Sequence, residues 1–453
     1  MRNSANINNP FSMRHPIPII GFPALSTMLF ALLLVAEAAT GQVRDKSEFR
    51  ISMMPNQSRL STIAIQRAVD SCAALGGGTV QFPPGTYLTG GIHLKSNVTI
   101  RIEKGATVQG SDDYRDYGMP WKDSNALFSG AGLTNVTIEG GGTIDGVDCK
   151  SPEGEEGFRG PHCIRIVNSA NVRFGGITIV RSANYAINCR SCAGITVRNV
   201  TIRGGHDGLH TRFCRDITVE DCDFRTGDDA FAGNDNQHYV VRRCQINTSC
   251  NGFRLGGQDV LIEQCRIWGP GEFKHINQRR TNTLAAFVYF SPADENPKLK
   301  SGNWLLRDVT VENVDNVFIY DYAGGLWQTG QPLTDIRFEN LTVIDAKKAF
   351  TAIGDPARTF RLTILNSSFM NSKARPDTPS FKTESTFIDT RYVLSVRSFD
   401  QVKLRNLIFR NFPSKPLIEL TAGKKVLIEE ISTSPKTTAP LLSIKYVDNI
   451  IDK

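Results

Sequence analysis

Short runs in which apolar and polar residues alternate recur along the chain at a fixed interval. The segments 216–224, 238–246 and 259–267 align with one another. The apolar residues that close successive runs, Ile202, Phe224, Ile246 and Ile267, lie 22, 22 and 21 positions apart by subtraction. Alternation with period two predicts strands, and a repeat of this size predicts a solenoid. No strand this short buries its apolar face alone; stacking in register gives each coil a neighbour above and below, about 4.8 Å away. No helix-length apolar pattern separates the strands, which argues against a leucine-rich horseshoe or an α/β layering. The pattern predicts an all-β chain, a single-stranded right-handed parallel β-helix. Related runs at 97–102, 135–138, 171–179 and 194–202, and later at 304–311, 335–343, 402–409 and 426–431, extend the solenoid over most of the sequence. The stretches 268–303 and 318–332 read as long loops added to the regular coils, a common location for specificity.

The first end of the solenoid needs a cover, because an open coil exposes apolar core and unpaired strand edges. Ser61 or Thr62 is placed to cap a short helix through Ile63, Ile65, Ala68, Val69 and Cys72, which Gly76 to Gly78 would end. Further forward, Arg2, Arg14 and His15 precede an apolar stretch at 17–35, followed by Ala36, Glu37 and Ala38 and then Ala39, Thr40 and Gly41. This predicts a secretory signal peptide over 1–41. Pro18, Gly21 and Pro23 interrupt the stretch and disfavour a membrane anchor. The mature chain, 42–453, is then one β-helix domain, secreted or periplasmic, with no membrane partner after the signal is removed and with a monomer expected.

The net charge of +7, or +6 once Arg2, Arg14 and Glu37 leave with the signal, is spread without a run of Lys or Arg, so nucleic acid is not implied. An even count of ten cysteines in an exported chain invites a disulfide scheme. Their positions favour another reading. Cys222, Cys244 and Cys265 occupy one place in successive repeats, as do Cys192 and Cys214, which predicts buried thiol ladders. Cys149 and Cys163 remain candidates for a loop bridge, and the single spacing of Cys189 and Cys192 is a weak zinc signal.

Candidate chemistry concentrates between Gly204 and Gly257. Asp207 lies 22 residues before Asp229, one repeat by subtraction, so the two carboxylates should stand on neighbouring coils with Asp228 beside them. Asp and Asn often do no more than cap turns in β-rich chains, but one repeat separating Asp-Gly from Gly-Asp-Asp selects a catalytic reading. Three like charges held together cannot all ionise cheaply, so at least one pKa should rise. That division suits glycosidic cleavage, in which a protonated carboxyl donates to the leaving oxygen and an ionised one activates water or attacks the sugar.

These residues are where the chain resembles the polygalacturonase group, glycoside hydrolase family 28. The likeness also covers the run from Gly76 to Tyr87, the segment His93 to Ile100, and Gly142, Thr143, Ile144, Asp145 and Gly146, so about residues 60 to 270 take part. The resemblance implies a right-handed parallel β-helix that hydrolyses pectic polymers with inversion. It makes Asp229 the general acid and has Asp207 and Asp228 hold and activate the water. Gly205 and His206 replace the Asn and Thr of the family's Asn-Thr-Asp-Gly motif. Where its Gly-His-Gly motif should fall, the chain has Cys250, Asn251 and Gly252. Asn251 can bond a sugar but cannot carry a proton. The family's Arg-Ile-Lys motif is also not found at its place; Arg254, Lys274, His275, Arg279 and Arg280 are candidate substitutes for substrate binding.

His206, His210 and His238 flank the aspartates and are candidates to replace the missing family histidine, with His206 also a candidate for substrate binding, although strand alternation points His206 and His210 away from Asp207. Trp268, Tyr289, Phe290, Tyr320, Tyr322 and Trp327 are candidates to stack on sugar faces. No cofactor or metal is expected for hydrolysis, and the partner is a carbohydrate. Two alternatives stay open. A polysaccharide lyase would use Asp207, Asp228 and Asp229 to hold calcium with Arg254 as base, and a non-catalytic glycan-binding solenoid would retain only the scaffold.

Overall fold

The computed structural model describes residues 48–50, 60–322, 328–372, 380–382, 387–412, 416–438 and 440–452, so the expected signal peptide over 1–41 lies outside the described residues. Strand follows strand with three to a coil, as in Leu209–Arg212, Arg215–Glu220 and Asp223–Thr226. Each pairs in parallel with its equivalents on neighbouring coils, and nearly all strands join one continuous sheet that winds on itself. Among the described residues an antiparallel pair also occurs, Ser380–Lys382 with Phe387–Asp389. The register is the one the repeat predicts: Ile202 faces Phe224, Phe224 faces Ile246, and Ile246 faces Ile267.

Alternation decides which side chains turn inward. In Arg215–Glu220, Ile217 and Val219 are fully buried while Thr218 between them is not. Stacking the coils converts these positions into columns, among them Phe231, Phe253 and Phe287. Their rings lie 4.6 Å and 5.4 Å apart between centroids at 13° and 15°. At one corner the chain must turn with positive φ, which Asn tolerates better than most residues. Asn97, Asn135 and Asn171 do so at 62°, 55° and 56°. Their carboxamides hydrogen-bond up the stack, Asn135 to Asn97 at 2.8 Å and Asn171 to Asn135 at 3.1 Å.

A helix, Thr62–Ala74, packs Ile65, Val69 and Cys72 on the first coil. The expected cap differs: the Ser61 side chain bonds nothing at the helix start, and Thr62 Oγ1 instead accepts the Gly90 N–H at 2.8 Å, tying the helix to the coil it covers. Ile63 points outward and is 69% exposed, because only one helical face meets the coil. The two long loops are also shorter than the pattern suggests. Thr283–Tyr289 and Val314–Asp321 are strands; in the first, both faces are largely buried, so the alternation that marks a half-buried strand is lost. All ten cysteines are buried and free, as the ladder reading expects, and Cys149 and Cys163 do not form a bridge. No described helix is long and apolar enough to cross a membrane.

Candidate active site

Tyr185, Asp207, Asp229 and Asn251 form one column, each 22 residues after the last by subtraction. Backbone bonds fix it: the N–H groups of Ala186, Gly208 and Ala230 donate to the carbonyls of Asp207, Asp229 and Asn251, each at 2.9 Å. The turn into Asp207 uses Gly204 and Gly205, both at φ +77°; a Cβ at Gly205 would meet the Ser182 carbonyl oxygen at 2.7 Å. Asp228 enters from the turn of the Asp229 coil. Carboxylate oxygens of Asp207, Asp228 and Asp229 lie within 4.8 Å of one another.

Two loops close over this corner. From 146–161, Arg159 brings Nη2 to 3.8 Å from Asp228 Oδ2 and Phe158 stacks on His206 with centroids 6.0 Å apart. From 269–282, His275 Nε2 lies 3.7 Å from Asp228 Oδ1. The loops are joined where Asn277 donates to Glu156, which also pairs with Arg159 at 3.3 Å. Asp207 and Asp229 are in consequence almost fully buried, and Asp228 keeps 16% of its side chain exposed.

The three carboxyls have different partners and so different acidities. Asp229 Oδ1 accepts Asn251 Nδ2 at 2.8 Å and the Asn251 backbone N–H at 3.2 Å, while Oδ2 accepts Arg254 Nε. Burial pushes the Asp229 carboxyl up, but the Arg254 guanidinium and these hydrogen bonds outweigh it and hold the group below the usual carboxylate range. Burial and the Asp229 charge push Asp207 up to about 7. Burial and the charges of Asp207 and Asp229 do the same to Asp228, also to about 7. The sequence expectation of a retained proton is therefore met on Asp207 and Asp228, whereas Asp229, the acid implied by resemblance, is held ionised by Arg254.

The sign of the stability effect follows. An unfolded aspartate titrates near 3.8, so between about pH 4 and 7 folded Asp207 and Asp228 keep protons that the unfolded chain has released. Their contribution to stability falls as pH rises through that window. Asp229 acts oppositely; its contribution is present at neutral pH and is lost as pH falls through its lowered pKa. Asp228→Asn cannot ionise, and is expected to melt a few degrees above the wild type at pH 8. The gap should close towards pH 4, and thermal unfolding at the two pH values checks it.

The remaining expected residues divide. Asn251 and Arg254 join the cluster through Asp229, and Arg254 also lies 4.2 Å from the Phe290 ring centroid. His206 is buried, held uncharged by that burial, and packs on Phe158. Lys274 and Arg279 have exposed side chains on the 269–282 loop and are not brought into the cluster. His238 is exposed and pairs with Asp216 at 2.9 Å, so it does not replace a histidine at the site. His210 overturns the alternation argument: the backbone bends before Leu209, and its Nδ1 sits 2.7 Å from Asp207 Oδ2. Tyr289, Phe290 and Tyr320 are buried and cannot offer a ring face to sugar, and Trp327 lies outside the described residues. Sequence reasoning missed Arg159, Glu156 and Tyr185, of which only Tyr185 carried a signal, the 22-residue step to Asp207.

Two groups have ligand-like spacing for a cation, the three aspartates and the set Asp228, Cys250 and His275. Both already face fixed guanidinium groups. Arg254 sits on Asp229, Arg159 lies beside Asp228, and Arg280 Nη2 donates to Cys250 Sγ at 3.4 Å. The arrangement therefore disfavours an added cation and fits proton transfer between carboxyls.

A family model, Glycosyl hydrolases family 28, matches residues 72–255, which include all three aspartates. A segment of 104 residues, 19% of the chain, is 35% identical to an exo-poly-alpha-D-galacturonosidase of Dickeya chrysanthemi. Another of 165 residues, 32% of the chain, is 28% identical to a probable polygalacturonase of Vitis vinifera. These matches span 17% and 33% of the relatives' own lengths. Among solved structures, the family 28 exopolygalacturonase of Yersinia enterocolitica has the same fold, with a TM-score of 0.57 at 16% identity over 89% of this chain and 78% of that one. The segment from residue 72 to residue 255, less than half of the chain, is thus similar to glycosyl hydrolases family 28.

Proposed function

We propose that the protein is an exported glycoside hydrolase that cleaves glycosidic bonds in a pectin-like polysaccharide or an oligosaccharide derived from it. The coil would be right-handed, as parallel crossovers almost always are. One observation carries the reading: three carboxyls from successive coils lie within 4.8 Å of one another, two of them pushed up to about 7 beside one held ionised. Asp228, the most exposed of the three, is the group placed to protonate the leaving oxygen. Asp207 activates water once it has lost its proton, and Asp229, held by Arg254, supplies the negative field that keeps a proton on its neighbours. Arg159, whose Nε and Nη1 have no hydrogen-bond partner, is the cation the site offers to an acidic sugar. The joined loops over the cluster favour attack at a chain end over attack within a long polymer.

The lyase reading is weaker on the chemistry of Arg254. Its guanidinium is buried, yet Asp229 and Asp207 hold its pKa above the ordinary value, so it is a poorer base than a free arginine. The test is incubation of the protein with polygalacturonate and with a defined oligogalacturonate, with and without chelator. New reducing ends, release from one terminus, no unsaturated product and no effect of chelation are expected. An unsaturated product lost on chelation would establish the lyase, and no new reducing ends on these or on a wider glycan panel would leave the non-catalytic solenoid.

A further inference from the structure

We infer that His210 is a positioning residue of this site, an imidazole locked in its Nδ1–H tautomer that orients Asp207. The inference rests on the aspartate cluster being the hydrolytic centre, and its first step is geometric. Arg212 Nε can only donate, and it lies 2.9 Å from His210 Nε2, so that nitrogen must be the acceptor. The ring proton is then on Nδ1, which lies 2.7 Å from Asp207 Oδ2 and donates to it. Arg212 is itself held by Glu295 at 3.0 Å, and the imidazole stacks on Tyr185 with centroids 4.3 Å apart at 10°. The ring is buried, so it acts through Asp207 and touches no sugar.

The surroundings keep this tautomer across the working pH range. Burial, then the charges of Arg212 and Arg254, hold the imidazole well below its ordinary pKa. Arg159, from the loop above, acts in the same direction, and the buried His162 is the other imidazole nearby. Asp229 acts the other way, as does the bonded Asp207 when ionised, and Tyr185 is kept neutral by its burial. The Nδ1–H bond favours the ionised form of Asp207, the form that activates water, and fixes which of its oxygens stays free for that water. Asn251 cannot carry a proton, so His210 is the imidazole in direct contact with the cluster's base.

Two measurements on the full chain test this. In 15N-histidine NMR, one imidazole absent from the His210→Asn spectrum should show a protonated Nδ1 and an unprotonated Nε2, unchanged from pH 5 to 8. A protonated Nε2, or a titrating imidazolium, overturns the proposal. In kinetics, His210→Ala should lower kcat by about 10–100-fold with little change in KM, the scale on which orienting partners act. It should also move the acidic limb of the pH profile upward, because Asp207 loses a donor to its ionised form. His210→Asn, whose amide N–H can stand where Nδ1–H stood, should restore the limb and most of kcat. A residue that only fills space would leave the limb in place in both variants, and that result also overturns the proposal. If Asp207→Asn hydrolyses at the wild-type rate, the aspartate cluster is not the hydrolytic centre and that assignment falls, while the tautomer is still decided by the spectrum.

Discussion

Replacing Asp228 by Asn is expected to lower turnover on a natural glycan by about 10²–10⁴-fold, the range that a positioned general acid supplies. The same change should cost far less on an aryl glycoside with an acidic phenol as leaving group, because that oxygen departs without needing a proton. Asp207→Asn should cost a similar factor on both substrates, since water must be activated in either case. The distinction matters because the family resemblance gives the acid role to Asp229, while Arg254 and Asn251 hold Asp229 ionised in the free protein. Asp228 is the carboxyl that combines a raised pKa with a side chain that is still partly exposed. Loss of the alkaline limb of the pH profile in Asp228→Asn, with that limb kept in Asp229→Asn, completes the expected pattern. Leaving-group dependence in Asp229→Asn instead would mean that substrate displaces Arg254 and returns the proton to Asp229.

Periodicity made the centre of this site legible. A repeat of fixed length places equivalent backbone atoms above one another whatever the side chains are, so the column of Asp207 and Asp229 followed from counting alone. Counting also predicted a retained proton, because three carboxyls at one corner cannot all ionise cheaply. What it could not supply was the partner of each carboxyl. His210 stands three residues after Asp207, and Arg254 three after Asn251. The register stacks His210, Ala232 and Arg254 in a second column beside the first. The bend before Leu209 turns His210 onto Asp207, and across the small Ala232, Arg254 reaches back one coil to Asp229. Strict strand alternation, which sent His210 to the far face, holds only within an extended segment and fails across that bend. Arg159 and Glu156 were invisible for a different reason. They lie in a loop inserted between repeats, where no period constrains position, and only the fold shows that this loop meets 269–282 over the cluster.

Phe253→Ala is expected to destabilise the protein by about 3–5 kcal/mol, the cost of removing a fully buried aromatic ring from a core that closes only partly around the cavity. Phe253 stacks on Phe231 at 4.6 Å and on Phe287 at 5.4 Å, so one truncation removes two ring pairs. In a solenoid each coil is held mainly by its neighbours, so the loss should be felt first in the coils that carry Phe231 and Phe287. Those coils also carry the site. Phe253 directly precedes Arg254, and its inward packing fixes the strand from which Arg254 reaches Asp229. Turnover should therefore fall along with the unfolding midpoint. Phe409→Ala provides the contrast, because Phe409 stacks on Phe369 at 5.0 Å in a coil remote from the aspartates. It should lower stability by a comparable amount at temperatures where turnover of the folded protein is unchanged. Denaturant unfolding and kinetics on the two variants separate these effects. A loss below about 1 kcal/mol for Phe253→Ala, the level of a substitution that leaves no cavity, would show that the aromatic column fills space without holding the catalytic coils in register.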